Sequence, residues 1–446
     1  MGRIFGTFGV RGVVGEKITA DFAMSMAQAH GSFLHGGKVV VGTDTRTSGP
    51  MLKNAMIAGY LNSGSDVIDV GVAPTPTIQF ACKHYGADGG ASITASHNPP
   101  KYNGIKLLEA DGLGLQPVPE AKVEDNFFGK KFLQVGWKGV KSVADKDILP
   151  IYIGEILKRV DRKAVAKRKP KVVLDCGNGA GCLTAPEVLK RIGCEVVELN
   201  CEPDGTFPGR DPEPIPKNLE KTLRVVKREG ADFGLAIDGD ADRCILIDEN
   251  GKFIWGDRTF AMVAKDILKR GELVVTTVAT SHVVKDVVDE KGARYIETRV
   301  GDLVVSKELR DRNGVLGGEE NGGLIFPDFV LGRDATMTCA KLCEYFAREG
   351  KPFSELNAEL PEYHQHKSKV HCPEDKRKSI MEYVRKNVDG EIVTIDGLKV
   401  ISRDSWTIIR PSGTEPLIRI FTEAKTLKEA GQQNRKYVGM VEGCLQ

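Results

Sequence analysis

The sequence predicts an α/β fold of three similar domains with mixed, mostly parallel sheets, followed by a smaller α+β domain. The first reason is a repeated order of strand, helix closed by glycine, and second strand, which is typical of a mostly parallel sheet covered by helices. The second is a change of pattern in residues 367–446, where strands follow one another between two helices. The third is size, because 446 residues with 41% hydrophobic and 28% charged content suffice for several globular domains.

The repeat occurs at residues 38–70, 171–199 and 272–298. In each copy an apolar strand leads into a polar loop and a helix. The helix then stops at Gly64, Gly193 or Gly292, and a second strand follows. Glycine suits these stops because it adopts the left-handed conformation that closes many helices. Three copies therefore predict three α/β domains.

We expect the domains at residues 1–150, 151–250, 251–366 and 367–446. The first boundary lies in the helical stretch 147–160, which is followed by a basic connector at 163–170. The second follows a turn at 248–251, and the third lies near residues 362–367.

Composition argues against several classes of partner. A net charge of +2 gives no reason to expect a nucleic acid or an anionic membrane as the main partner. The sequence lacks both an apolar run of membrane-spanning length and an N-terminal signal core. We therefore expect a cytoplasmic protein with no membrane partner.

The loop after the apolar run 91–94 contains Ser96, and Pro99 and Pro100 stiffen it. A serine on a rigid loop at the end of a buried strand is a candidate nucleophile or phosphoryl carrier, although many loop serines only form turns. Lys106 follows closely enough to return to the same site, and Arg11 lies in a glycine-dense stretch suited to close contact. Either cation is equally compatible with a surface position.

Asp238, Asp240 and Asp242 alternate along the chain directly after an apolar run. Carboxylates this close repel one another unless a cation joins them, and a hard divalent ion such as Mg²⁺ fits oxygen ligands. A calcium EF-hand is a poorer match, because Arg243 stands where that loop needs glycine and strands flank the run. A solvated acidic loop is the other alternative.

Two further loops are candidate recognition elements. Residues 410–416 bring two hydroxyls and a glycine amide to one turn, with Arg410 and the nearby Arg419 as cations, which is the composition of an anion-binding nest. An ordinary hairpin turn has similar composition. Residues 318–323 are acidic and polar, so they suit sugar hydroxyls or a simple loop.

Two other patterns are weaker. Residues 175–181 resemble a dinucleotide fingerprint, but the third glycine comes one position early, so NAD binding is not expected. A soft-metal cluster is conceivable at His364, His366, His371 and Cys372, yet their place in a predicted linker favours solvated side chains.

Taken together, four stretches resemble the α-D-phosphohexomutase family: residues 94–100, 238–243, 318–322 and 410–416. The resemblance extends to residues 5–12 and covers the whole chain in family order. It implies four domains around a central cleft, with one motif loop from each domain.

The resemblance also implies roles for single residues. Ser96 is expected to carry the phosphoryl group and, with Asp238, Asp240 and Asp242, to bind one Mg²⁺ per chain. The residues expected to assist proton transfer are Arg11, His97 and Lys106. The residues expected to bind the substrate are Glu319, Asn321, Arg243, Arg410, Ser412, Gly413, Thr414 and Arg419.

The implied activity is interconversion of hexose 6-phosphate and hexose 1-phosphate through a bisphosphorylated sugar, with hexose 1,6-bisphosphate as activator, in a monomer or homodimer. Loop 318–323 is most like archaeal members described as phosphoglucosamine mutases, so glucosamine 6-phosphate is the expected substrate. The serine loop is more like phosphomannomutase/phosphoglucomutase enzymes, which keeps glucose and mannose phosphates as the alternative. A non-catalytic sugar-phosphate-binding protein is a more distant alternative, because a binder needs neither Ser96 nor three aspartates.

Overall fold

The computed structural model describes residues 4–6, 8–402, 405–412 and 416–445. The chain forms four separate sheets in sequence order. The first three are mixed sheets with helices and the fourth is wholly antiparallel, which confirms the predicted fold class. Among the helices of these residues, none is both long and apolar enough to cross a membrane.

The first sheet has six strands, of which four adjacent ones are parallel. Its strands are β1 (Val10–Val13), β2 (Val39–Thr43), β3 (Val67–Val72), β4 (Gly89–Ile93), β5 (Tyr102–Glu109) and β6 (Val143–Asp145), in the order β1-β5-β4-β2-β3-β6. The accompanying helices are α1 (Ala20–Phe33), α2 (Gly49–Asn62), α3 (Thr75–His84) and α4 (Pro117–Gly129). Parallel β2 and β4 end at the same edge, so the loops after them meet there.

The second sheet repeats this plan with five strands. Its elements are α5 (Leu149–Lys158), α6 (Arg162–Arg168), β7 (Lys171–Asp175), α7 (Ala185–Ile192), β8 (Glu195–Leu199), α8 (Glu220–Glu229), β9 (Phe233–Ile237), β10 (Cys244–Ile247) and β11 (Phe253–Ile254). Strands β7, β8 and β9 are parallel, whereas β10 and β11 return antiparallel.

The third sheet has four strands, in the order β13-β12-β14-β15. Its elements are α9 (Gly256–Ile267), β12 (Leu273–Thr277), α10 (His282–Glu290), β13 (Arg294–Thr298), α11 (Asp302–Arg312), β14 (Leu316–Gly318), β15 (Leu324–Ile325), α12 (Ala335–Glu349) and α13 (Phe353–Ala358). One continuous apolar core joins the second and third domains, with Phe233 of β9 packed against Phe346 of α12 and Phe353 of α13.

The fourth domain is a five-stranded antiparallel sheet in the order β16-β20-β19-β18-β17. Its elements are β16 (His364–His371), α14 (Arg377–Lys386), β17 (Glu391–Val393), β18 (Leu398–Ser402), β19 (Ser405–Pro411), β20 (Leu417–Ala424) and α15 (Leu427–Gly443). Trp406 of β19 packs against Val278 and Ala279 of the third domain, and its Nε1 donates to Glu423 Oε1 at 2.9 Å. This buried contact docks the fourth domain on the third.

Two local expectations were wrong. The basic stretch 163–170, expected to be a connector, contains helix α6, which buries Val165 and is capped by the Asp161 carboxylate. Residues 364–371, expected to lie in a linker, form β16 against β20, so the fourth sheet begins before the proposed boundary at 366. Strand β11 extends the second sheet past residue 250. The domain boundaries therefore stay a proposal.

Candidate active site

Ser96 lies directly after β4 and is fully buried. Its φ of 50° falls in the left-handed region that non-glycine residues rarely adopt, so the surrounding contacts must hold it. Its backbone N–H donates to Thr94 Oγ1 at 2.8 Å, and the Thr94 hydroxyl donates to Asp44 Oδ2 at 2.6 Å. Asp44 follows β2, so the neighbouring parallel strand supports the serine loop.

Arg46 is the main support of this loop, and its role was missed from the sequence. The side chain is 1% exposed and pairs with Asp44 at 3.1 Å. Its guanidinium donates to four loop carbonyls, those of Ser96 (2.8 Å), Asn98 (2.6 Å), Pro99 (2.8 Å) and Tyr102 (2.9 Å). One buried cation thereby fixes the path of the chain around the serine.

The three predicted metal-binding aspartates follow β9 and are buried together, with ligand oxygens within 4.8 Å of one another. Ser96 Oγ donates to Asp238 Oδ2 at 3.0 Å, so the serine of the first domain meets the acidic cluster of the second. The other oxygen of Asp238 accepts the backbone N–H groups of Asp242 (3.0 Å) and Arg243 (3.1 Å). These bonds curl the loop so that its carboxylates converge.

The donor set fits Mg²⁺. Asp240 Oδ1 and Asp242 Oδ1 are buried without a hydrogen-bond partner among the described residues, and Arg243 Nε lies 3.6 Å from Asp242 Oδ1 as an ion pair. A buried carboxylate oxygen without a hydrogen bond is costly unless a cation binds it, which suits a metal ion at this position. The remaining oxygens are compensated, since Lys106 Nζ lies 2.7 Å from Asp240 Oδ2 and Arg333 Nη2 lies 2.6 Å from Asp242 Oδ2. The two oxygens without a hydrogen bond, together with Asp238 Oδ2, can serve as three oxygen ligands.

The aspartates differ in their electrostatics. Burial, together with the charges of Asp242 and Asp240, raises the pKa of Asp238 well above its usual value. Burial opposes ionisation of Asp242 as well, but Arg333, Lys106 and Arg243 outweigh it and hold the pKa of this carboxyl well below its usual range. Neighbouring cations thus keep part of the cluster ionised in a buried setting.

His97 and Arg11 border the serine. His97 Nδ1 lies 3.2 Å from Ser96 Oγ, and Arg11 Nη1 donates to Asn98 Oδ1 at 3.3 Å. Burial and the nearby Arg243 and Arg11 lower the pKa of His97 to about 2, so its imidazole is neutral. Lys106, in contrast, is 1% exposed and forms ion pairs with Oδ2 of Asp240 and Oδ2 of Asp242.

The loop predicted to read the sugar follows β14. The Glu319 carboxylate accepts from Arg333 Nη1 at 2.7 Å and from the Gly301 N–H at 3.2 Å, while the Asn321 amide lies 3.4 Å from it. Arg333, which the sequence analysis missed, therefore bridges this loop to the metal loop. A Cβ at Gly323 would overlap the Arg333 side chain, so glycine is needed for the arginine to pass.

The predicted phosphate loop lies between β19 and β20. Arg410 and Arg419 are direct cross-strand neighbours, so two cations lie side by side. Arg410 Nη1 lies 2.6 Å from Asp396 Oδ2, and the Ser412 carbonyl accepts from Arg377 Nη1 at 3.1 Å. Gly413 and Thr414 lie outside the described residues.

A cavity of about 930 Å³ joins these loops. The described lining comes from all four domains, with Arg11 and His97 of the first, Arg243 of the second, Glu319 and Asn321 of the third, and Arg419 of the fourth. The charged side chains of the described lining are Arg11, Lys17, Arg243, Arg333, Arg419, Asp302 and Glu319. The excess of cations suits an anionic substrate. Of these residues, Lys17 and Asp302 were also missed, because neither belongs to a recognisable motif.

Two weaker sequence patterns were a soft-metal cluster near residue 366 and a dinucleotide-like turn at residues 177–181. Among the described residues, the acidic cluster is the one group of metal-binding side chains that converges, and the histidines near residue 366 do not. The glycine turn at 177–181 packs its backbone against the metal loop, with the Ala180 N–H donating to the Gly239 carbonyl at 3.0 Å.

Four family models match the chain in order. They are described as Phosphoglucomutase/phosphomannomutase alpha/beta/alpha domain I at residues 2–134, domain II at 150–251, domain III at 255–363, and C-terminal domain at 368–437. Together these models span most of the chain.

Individual relatives agree with the family models. A protein of Thermococcus kodakarensis named phosphoglucomutase/phosphomannomutase is 52% identical over 100% of both chains. A second protein of that organism, named probable phosphoglucosamine mutase, is 41% identical over 100% of this chain and 99% of its own. A crystal structure of a phosphoglucomutase/phosphomannomutase family protein from Burkholderia thailandensis is 31% identical, with a TM-score of 0.89 and coverage of 99% of this chain and 98% of that one. The chain therefore belongs to the phosphoglucomutase/phosphomannomutase family and is an enzyme of the phosphohexomutase class.

Proposed function

We propose that this enzyme interconverts the 6-phosphate and 1-phosphate of a hexose, with Ser96 as the phosphoryl carrier. The observation that carries the proposal is the 3.0 Å contact between Ser96 Oγ and Asp238 Oδ2, beside two buried carboxylate oxygens that accept no hydrogen bond from the described residues. Phosphoryl transfer needs a nucleophile or carrier, a site for a divalent cation and positive charge around the substrate. Ser96, the acidic cluster and the cationic cleft supply these three parts.

We assign one Mg²⁺ per chain to Asp238, Asp240 and Asp242, with the oxygen of Ser96 as the neighbouring ligand. When bound, the ion neutralises the charge that develops on the transferring phosphoryl group. Lys106 and Arg333 hold the outer oxygens of Asp240 and Asp242, so we assign both cations to charge compensation and orientation of the ligands.

In the first transfer, the bond between phosphorus and Ser96 Oγ breaks and a new bond forms to the free hydroxyl oxygen of the bound hexose monophosphate. The proton of that hydroxyl passes to an acceptor in the cleft, which returns a proton in the second transfer. The bisphosphate then turns over, and its other phosphoryl group returns to Ser96 as that sugar oxygen regains a proton. The cycle needs no further reactant, and a trace of hexose 1,6-bisphosphate serves only to load the serine. His97 Nδ1, at 3.2 Å from Ser96 Oγ, is the nearest ring nitrogen to the transferring group.

The phosphate that does not react needs a binding site of its own. We assign this role to Arg410, Ser412, Gly413, Thr414 and Arg419, because Arg410 near the end of β19 and Arg419 near the start of β20 place two cations together. Arg11 and Arg243 line the cleft on the opposite domains and are assigned to the phosphate near Ser96. Glu319 and Asn321 are assigned to the sugar hydroxyls.

For the sugar, we favour glucose and mannose phosphates, because the relative with 52% identity carries the name phosphoglucomutase/phosphomannomutase. Glucosamine phosphate is the second candidate, supported by the sequence of loop 318–323 and by the name of the relative with 41% identity. The preference among these sugars is the finer part of the proposal.

The test is to measure kcat/KM for glucose, mannose and glucosamine phosphates with Mg²⁺ and a trace of glucose 1,6-bisphosphate, for the wild type and for Ser96→Ala. We expect turnover of glucose and mannose phosphates at least tenfold above glucosamine phosphate, and none by Ser96→Ala at unchanged Tm. Higher efficiency with glucosamine phosphate would reverse the sugar assignment. An active Ser96→Ala variant would remove Ser96 from the mechanism.

A further inference from the structure

The glycines of the turn at residues 177–181 resemble those of a dinucleotide-binding turn, but the surroundings of this turn differ from those of such a site. It lies between β7 and α7, and its backbone is packed against the loop that carries the three aspartates rather than facing an open pocket. Gly177, Ala180 and Gly181 are buried, as is Asn178 at 6% exposure. A buried turn has no room for a pyrophosphate, so its glycines need another explanation.

Close backbone packing supplies that explanation. A Cβ at Gly179 would lie 2.5 Å from the carbonyl oxygen of Gly239 and 2.9 Å from its Cα. Gly179 has φ of −84°, which any residue adopts, so this contact and not backbone strain excludes a side chain. Gly239 stands between the ligands Asp238 and Asp240.

The same glycine of the metal loop contacts the serine loop on its other side. A Cβ at Gly239 would lie 2.5 Å from the carbonyl oxygen of Ser96. That carbonyl is in turn held by Arg46 Nη2 at 2.8 Å. The glycine turn, the metal loop and the serine loop thus form a stack of three backbones with no side chain between them.

Arg210 holds the metal loop from a second direction. Its Nη2 donates to the carbonyl of Ile237 at 2.6 Å, directly before Asp238, and its Nε lies 3.0 Å from Asp175 Oδ2. Asp175 Oδ1 accepts the N–H of Gly177 at 2.9 Å, so the same carboxylate anchors both the arginine and the start of the turn.

We propose that the turn at 177–181, through Gly179 and with Arg210, is a positioning element that sets the distance between Ser96 and the metal-binding aspartates. Its residues contact neither substrate nor metal. They fix the position of the Gly239 backbone relative to the Ser96 carbonyl, so that Ser96 Oγ and Asp238 Oδ2 stay within hydrogen-bonding distance. The inference rests on the proposed function, because it gives Ser96 and the aspartates a shared reaction.

The test compares Gly179→Ala with Gly154→Ala. Gly154 lies in α5 of the same domain with nothing within 4 Å of an added Cβ, so it is a matched glycine-to-alanine control. For Gly179→Ala we expect kcat to fall at least tenfold, the Mg²⁺ concentration for half-maximal activity to rise, and KM for the hexose phosphate to stay within twofold. Loading of Ser96 with phosphate from glucose 1,6-bisphosphate, followed by intact mass, should slow by the same factor. For Gly154→Ala all four quantities should match the wild type.

A second variant covers the case in which Gly179→Ala does not fold. Arg210→Lys retains the charge beside Asp175 but cannot reach Ile237 and Asp175 together. It should therefore lower kcat and raise the Mg²⁺ concentration for half-maximal activity, as expected for Gly179→Ala, while Tm falls little. Normal kcat and normal Mg²⁺ response in a folded Gly179→Ala or Arg210→Lys enzyme would overturn the inference. If Ser96→Ala is inactive in that case, the proposed function stands without the inference, whereas an active Ser96→Ala removes the proposed function itself.

Discussion

At the scale of single residues, the site that the sequence predicts most directly is the cluster of Asp238, Asp240 and Asp242. Alternation places their carboxylates near one another, and the fold buries them so that one oxygen each of Asp240 and Asp242 accepts no hydrogen bond from the described residues. The amino acid types alone indicate the ligand class, since hard carboxylate oxygens select a hard cation.

Asp240→Asn tests that assignment. The substitution keeps the shape but removes the negative charge and replaces one of the two carboxylate oxygens with an amide nitrogen. We therefore expect the Mg²⁺ concentration for half-maximal activity to rise by at least about tenfold and kcat to fall by about a hundredfold. The measurement is a titration of activity with Mg²⁺. Asp211→Asn, an exposed position in the same domain, is the control and should behave as the wild type. An unchanged Mg²⁺ titration for Asp240→Asn would exclude Asp240 as a ligand.

Arg333 and Gly323 give a second residue-scale prediction. Gly323→Ala should displace the arginine from Asp242 and Glu319, because the new Cβ would overlap its side chain. We expect Gly323→Ala to lower kcat/KM by at least about tenfold in the wild type, but by less than about twofold when Arg333 is already alanine, since contacting residues are not additive. The double-mutant cycle on kcat/KM and Tm checks this. Equal effects of Gly323→Ala in both backgrounds would mean that the two residues act independently.

The residues that the sequence did not predict share a property. Arg46 and Arg333 act through contacts with distant backbone carbonyls and carboxylates, such as Arg333 with Asp242. No local pattern marks an arginine whose partners lie far away along the chain. The motif residues were predictable because each motif brings its donors together within a few positions.

At the scale of elements, the first turn of α9 contains a titratable group. Asp257 is 4% exposed, and it accepts from the Ser281 N–H at 3.0 Å and from the Gln365 amide at 3.2 Å. Burial raises its pKa to about 7, with Glu320 and Glu423 adding to the rise and Lys367 opposing it.

The sign of the effect on stability follows from this shift. An aspartate that is raised from about 3.9 in the unfolded chain binds more protons when folded, so its stabilising contribution is complete below that pH and is lost as the pH rises through about 7. Relative to Asp257→Asn, the free energy of unfolding of the wild type should fall by about 1–3 kcal/mol between pH 5 and pH 8. Urea unfolding of both proteins across this range checks it. Parallel pH profiles would mean that Asp257 ionises normally.

The repeated strands and glycine-closed helices were predictable because their periodicity is local. Gly64 and Gly193 do adopt the left-handed conformation at the helix ends, with φ of 75° and 107°. Helix α6 and strand β16 were missed because tertiary contacts override their polar composition. Val165 of α6 is buried, and β16 pairs along its length with the apolar β20.

At the scale of the whole molecule, the cleft brings together five cations and two carboxylates from the described parts of four domains. Salt screens such an excess of positive charge, so KM for a hexose phosphate should rise severalfold between about 25 and 300 mM NaCl while kcat changes little. Steady-state kinetics at fixed Mg²⁺ checks this. A constant KM across this range would mean that short-range contacts alone hold the phosphate.

The family resemblance implied four domains around a cleft, but it did not indicate which side chains join the domains. Arg310 of the third domain binds Glu109 at 2.9 Å and Asp111 at 3.1 Å in the first, and Tyr152 of α5 donates to Asp334 at 2.7 Å. Such pairs depend on the assembled surfaces, so no single stretch of sequence predicts them.

The burial of Trp406 between the third and fourth domains gives the enzyme an internal optical probe. The chain has three tryptophans, and Trp137 and Trp255 are 84% and 57% exposed whereas Trp406 is 1% exposed. Replacing the two exposed indoles with phenylalanine leaves one emitter at the contact with Val278 and Ala279. Its emission maximum reports how far the Trp406 indole is exposed to water. Stopped-flow fluorescence can therefore follow movement of the fourth domain away from the third during turnover without an attached dye.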